Sequence, residues 1–305
     1  MNSRADLLSD ALHRRAMDAC DGIVWLALDG RAPDKQATSA LRQGLLAREA
    51  VPVRLSHPQM DERLYPAWYR LDANRSTDSA LLRLSVEIAL DELDPQVLRQ
   101  GGGRVLAGWL ALPGSVPPGE VASHLGRQMI QRRHMRTLLL RLHDPAVLWW
   151  LWQWLDAAQR AALLGRMNAW WLLSPLGELH ALERPSGAGV DTLALGERQW
   201  RDVFAIASLN QVLRSLDAPP DGQTLRMLHD AARRACEHGL TDTDDQAAFI
   251  RHSLQMHPQF DRHPLLQSLL QRRQPGEFYA ALSAELDDAA WRQVQHDCTT
   301  LPPSA

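Results

Sequence analysis

Residues 136–173 read RTLLLRLHDPAVLWWLWQWLDAAQRAALLGRMNAWWLL and hold six of the chain's eleven tryptophans. Residues 137–142 form a short, bounded apolar run, which predicts a central strand buried on both faces. His143-Asp144-Pro145 then switches the chain into a helix. Asp144 can accept from an orphan N–H, and Pro145 suits the first helical position because its missing donor had no partner there. At 100° per residue, Val147, Leu148, Trp150, Leu151, Trp152, Trp154 and Leu155 fall on one broad arc, with Trp149 outside it beside Gln153 and Asp156. Asp156 is placed to cap a second helix over residues 157–164, ended by Gly165. Residues 168–173 read as a strand, turned by Pro175 and Gly177 toward a short partner over residues 179–183. The tryptophans read as core, Trp149 excepted.

Outward from that stretch the pattern is mixed. Toward the N-terminus, residues 22–28, 51–55, 65–71 and 104–112 have strand character, separated by helical spacing over 38–48, 78–90 and 117–131. Residues 1–20 read as a short amphipathic helix with no signal-peptide core. Beyond the small, flexible loop 185–189 the strand signal stops. Residues 196–216, 223–238, 243–257, 264–273 and 277–295 all have helical periodicity, with Thr243 and Gln246 spaced as a capping box and Gly239 placed to end the preceding helix. The expected architecture is α+β: an α/β-like sheet domain over residues 1–185, followed by an all-α domain over residues 190–300.

Composition narrows the function. The net charge is -3 and the sequence pI is near 6.5, which supplies no footprint for nucleic acid or an anionic membrane. From Gly196 onward there are 11 Arg against 15 Asp or Glu, a difference of -4, so the helical part is mildly acidic. The longest uninterrupted apolar run, residues 146–152, is too short to span a bilayer. Cys20, Cys236 and Cys298 are odd in number and lack a CxxC pair, as expected of reduced thiols in a cytoplasmic protein. The 12 histidines form no HExxH or facial triad, no serine sits in G-x-S-x-G, and Gly101-Gly102-Gly103 lacks the lysine of a phosphate loop. No cofactor or metal is expected. The charged pair bordering the apolar stretch is Arg141 with Asp144, ahead of Pro145; it reads as a cap with a partner for the arginine rather than as chemistry.

Three stretches carry a resemblance. Val24-Trp25-Leu26-Ala27-Leu28-Asp29-Gly30 resembles the opening strand of the effector chaperone or adaptor family of bacterial type VI secretion systems, with Trp25 where tyrosine is usual. Arg141-Leu142-His143-Asp144-Pro145-Ala146-Val147-Leu148 resembles that family's Arg-Phe-Tyr-Asp-Pro-Arg-Val-Leu, departing at His143 and Ala146. His238-Gly239-Leu240-Thr241, then Phe249, then Phe260-Asp261, resembles its helical tail. The resemblance runs from about residue 22 to about residue 270. It implies a non-enzymatic role: binding the N-terminal region of a cognate effector in the cytoplasm and loading it onto the VgrG spike, with neither nucleic acid nor membrane as partner. Docking of an amphipathic effector helix in a groove between the domains or on the tail fits this role. Trp149 and Gln153 are the candidate partner-binding residues, Trp149 as the exposed aromatic anchor; the missing arginine at 146 leaves that contact unassigned. Two other readings stand beside it. One is an enzyme whose dispersed site includes Arg141, His143 and Asp144, which would lose its support if Asp144 pointed into its own helix. The other is a generic interaction scaffold.

Overall fold

The computed structural model describes residues 3–30, 36–55, 61–62, 65–100, 103–186 and 192–300. The chain divides into two compact units, Met1–Ala194 and Leu195–Ala305. Of the expected boundary loop, residues 187–189 lie outside the described residues, as do Gly101 and Gly102 of the triple glycine.

The first unit is built on six strands: β1 (Ile23–Leu28), β2 (Ala50–Pro52), β3 (Ala67–Asp72), β4 (Leu106–Ala111), β7 (Ala169–Leu173) and β8 (Leu179–Glu183), in the order β2-β3-β1-β4-β7-β8. Every neighbouring pair is antiparallel. The α/β-like alternation therefore does not produce parallel crossovers: β2 pairs with β3 alone, at the edge, and β1 lies between β3 and β4. One face packs on α1 (Arg4–Cys20), α2 (Gln36–Leu45) and α3 (Ser76–Asp91), through Leu26, Leu71, Trp109 and Trp171 on the sheet side. On the opposite side, α6 (Pro145–Trp154) packs against β4 and β7, while α5 (Pro118–Met129) meets β2 and α7 (Ala157–Leu164). With both faces covered, β4 and β7 are buried throughout, which is why they read as continuous apolar runs rather than alternating ones. Trp68, Trp109, Trp170 and Trp171 are at most 2% exposed; each contributes about 4–6 kcal/mol of transfer free energy as an upper value. Two of their indole donors are paired within the core: Trp109 Nε1 donates to Ser85 Oγ at 2.9 Å, and Trp170 Nε1 to Ala107 O at 3.0 Å. The register of β1 against β4 slips at a bulge, where Gly108 adopts φ +126°. A Cβ there would sit 2.4 Å from the Trp171 carbonyl, so only glycine fits.

The expected central strand over residues 137–142 is not one. β6 (Arg136–Leu139) pairs only with β5 (Ile130–Arg133), as a separate hairpin turned at His134 with φ +51°. Arg132, Arg133 and Arg136 flank its turn, so the hairpin cannot be covered on both faces; Arg136 and Thr137 are exposed, and only Leu140 and Leu142 enter the core. The centre of the sheet is β1 and β4. The segments after the hairpin form as expected. Asp144 caps α6 with Pro145 in its first turn, and Asp156 and Gln159 make a reciprocal capping box on α7, which Gly165 ends at φ +57°.

The second unit is helical: α8 (Glu197–Ser215), α9 (Gly222–Glu237), α10 (Thr243–Gln255), a 3-10 turn (Phe260–Arg262), α11 (Pro264–Arg272), α12 (Tyr279–Ala284) and α13 (Asp288–Thr300). α8, α9 and α10 pack on one another, and α12 on α10. Phe249, Phe260, Leu266, Tyr279 and Val294 are fully buried at its core. The capping box expected at Thr243 is displaced by one residue: Asp242 is the cap, accepting from Asp244 N and Asp245 N, while Gln246 Nε2 donates instead to Leu240 O at 2.8 Å. A carboxylate at the N-terminus outcompetes the threonine hydroxyl. No described helix is long and apolar enough to cross a membrane.

Candidate functional site

Strand β1 ends at Leu28, and the next residue, Asp29, anchors the strand end to the chain entering β4 by donating its N–H to Val105 O at 2.8 Å. Its carboxylate is 6% exposed and faces the loop that precedes α6. His143 Nε2 lies 3.3 Å from Asp29 Oδ2, with the imidazole only 2% exposed. Arg141 Nη2 lies 3.6 Å from Asp29 Oδ2 and 3.5 Å from Asp144 Oδ2, bridging the two carboxylates from the half-open side. Arg104 Nη1 adds a longer contact, 3.8 Å, to Asp144 Oδ1. Asp144 Oδ1 also accepts from Ala146 N at 3.0 Å, the helix cap read from the sequence.

The cluster thus joins two of the motifs, Leu28-Asp29-Gly30 and Arg141 to Pro145, at one buried point. Asp29 and His143 are nearly enclosed while Arg141 is 45% exposed, so the buried members depend on their partners here. The cluster's effect is positional: it ties the end of a central strand to the first turn of α6. The sequence brought Arg141, His143, Asp144 and Pro145 into view but not Asp29 or Arg104 as members. Asp29 had a signal, its place in the opening-strand motif; Arg104 had none.

A general base needs its acceptor within reach of a substrate, and the His143 ring is enclosed. Asp144 Oδ1 accepts from Ala146 N of its own helix, and the carboxylate's other partners are the guanidiniums of Arg141 and Arg104. No thiol is activated: burial and then the neighbouring Asp21 push Cys20 up to about 11, and burial likewise raises Cys236 and Cys298. Among the described residues, no group of three or more His, Cys, Asp and Glu side chains is placed to hold a metal ion.

The face that the cluster positions carries Trp149 and Gln153. Trp149 is half-buried rather than exposed, in edge-to-face contact with Trp150 at 4.7 Å, and Trp150 stacks on Trp154 at 6.3 Å. Gln153 is exposed one turn on, its Nε2 reaching Trp149 O at 3.5 Å. Among the described residues, the apolar side chains that stand furthest into solvent are elsewhere: Met135, Leu46 and Leu7 in the first unit, Phe278 and Phe204 in the second.

The tail motif has its own buried node in the second unit. Asp261 accepts from Arg234 Nε at 3.1 Å and lies 3.0 Å from His238 Nε2, while Arg234 also donates to Ser253 Oγ and Pro258 O. Phe249 packs between Phe260 at 4.8 Å and His238 at 5.6 Å. Burial alone pushes the Asp261 carboxyl up, but the His238 hydrogen bond and the Arg234 charge outweigh it and hold it below the usual carboxylate range.

Compared with known proteins, the chain has no significant match among family models, curated proteins or solved structures.

Proposed function

We propose that this chain is an effector adaptor of a type VI secretion system, which holds the N-terminal region of a cognate toxin in the cytoplasm and delivers it to the VgrG spike. The observation that carries this reading is the convergence of the resembling residues. Asp29 meets His143 and Arg141, and Arg141 links it to Asp144; in the second unit His238 meets Asp261 and Phe249, and Phe249 packs on Phe260. Residues far apart in the chain that share a resemblance and also share a contact are explained by a common fold. Both clusters brace helices rather than assemble a reaction centre, which supports a protein that works by presenting a surface. In this account the first cluster holds α6 so that Trp149 and Gln153 face the partner, with the Trp149 ring pre-ordered against Trp150 and little side-chain entropy left to lose on binding.

The test is spike loading in the producing cell. VgrG is isolated from cells with and without this chain, and its bound effector is quantified. The adaptor reading expects the effector on the spike only when the chain is present; equal loading in both strains would refute it.

A further inference from the structure

A cleft of about 710 Å3 runs along α5 in the first unit, with Val121 and Ala161 in its buried floor and Arg127, Arg166 and Arg184 around it. The three arginines come from different elements: α5, the residue after Gly165 at the end of α7, and the residue after β8. Among the described residues that line the cleft, Glu120 is the one acid, and it pairs with Arg166 at 3.4 Å. Among the described residues, Arg127 and Arg184 have no ionic partner. His124 is occupied: its Nε2 lies 2.8 Å from Ala162 O and 3.3 Å from Leu163 O.

We propose that this cleft binds an acidic polypeptide segment, with two of its carboxylates on Arg127 and Arg184 and its apolar side chains on Val121 and Ala161. The Glu120–Arg166 pair is a carboxylate already seated on one of the three guanidiniums, and the other two lack theirs. From Gly119 to Arg127 the lining follows nine residues of α5, about 12 Å of helix rise, the length of roughly four residues of extended chain. A compact anion such as phosphate would meet only one end of such a trough. Guanidiniums with an apolar floor match carboxylates spaced along a peptide. The site does not depend on the secretion reading, since it specifies the chemistry of the segment and not its owner.

The test is fluorescence anisotropy of the full chain with a labelled peptide alternating glutamate and leucine, against the same peptide with glutamine. The proposal expects saturable binding of the glutamate peptide, weakened by added salt, at least tenfold weaker binding of the glutamine peptide, and at least tenfold weaker binding to Arg127→Glu/Arg184→Glu. Both arginines are exposed, and an unchanged melting temperature verifies that the double variant folds. Absence of saturable binding up to about 1 mM peptide, equal affinity for the two peptides, or full affinity in the double variant overturns it. So does displacement of the peptide by an equimolar amount of inorganic phosphate or of a single-stranded oligonucleotide, which would make the cleft a general anion site.

Discussion

His252 makes the helical unit sensitive to mild acid. Its ring lies among Trp291 at 4.4 Å, Tyr279 at 5.7 Å and Phe260 at 5.8 Å, with Nδ1 2.7 Å from the Tyr279 hydroxyl. Burial first, and the neighbouring Arg251 second, depress its pKa to about 4. The folded chain keeps the ring neutral where the unfolded chain, with an ordinary value near 6.5, takes up a proton. The stability this supplies is complete above 6.5 and is lost as pH falls from 6.5 toward 4. Across that window the loss sums to roughly 3 kcal/mol, of which about 2 kcal/mol falls between pH 7 and pH 5. Because two units need not unfold together, the assay is local: hydrogen exchange of α10 peptides at pH 7, 6 and 5, corrected for intrinsic rates, in the parent chain and in His252→Gln. Protection in the parent should fall about thirtyfold over that range, while the variant should show a much flatter dependence. Equal slopes in the two proteins, or a ring titrating at 6.5 or above by NMR, would refute the reasoning.

Other consequences follow from single contacts. Asp29→Ala removes the carboxylate shared by His143 and Arg141 and should cost about 1–3 kcal/mol, read as a lower urea midpoint for the sheet unit with the helical unit's transition unchanged. Gly108→Ala places a Cβ against the Trp171 carbonyl at a positive φ and should destabilise the same unit by about 2 kcal/mol or more, measured the same way; a neutral result would mean the bulge relaxes freely. Trp149→Ala should weaken effector affinity at least tenfold by titration calorimetry while circular dichroism stays unchanged, and unchanged affinity would remove Trp149 as an anchor.

Local chemistry made much of this fold legible in the sequence. Asp144-Pro145, Asp156 with Gln159, and Gly165 each act within a few residues of themselves, so their spacing alone located α6 and α7. The hairpin β5–β6 was hidden because a run of leucines reads as buried wherever it occurs; the arginines around its turn, and the absence of room for them in a core, decided otherwise. Strand direction was hidden too, since alternation of strands and helices is the same in order for parallel and antiparallel sheets. At the site, the residues beside Asp144 were legible as a motif. Asp29 and Arg104 reach it only through the pairing of β1 with β4, a tertiary fact that no local pattern encodes. Trp149 was assigned to solvent by helical phase, which says nothing about the edge-to-face contact with Trp150 that half covers it.

The central claim is that this chain captures an effector through that effector's N-terminal region, and the most direct measurement is size-exclusion chromatography with light scattering. The chain is co-expressed with a candidate type VI effector, once intact and once lacking that region. The account predicts a stable complex of defined stoichiometry with the intact effector and two separate peaks with the truncated one. Separate peaks in both cases, with each protein folded, would contradict it.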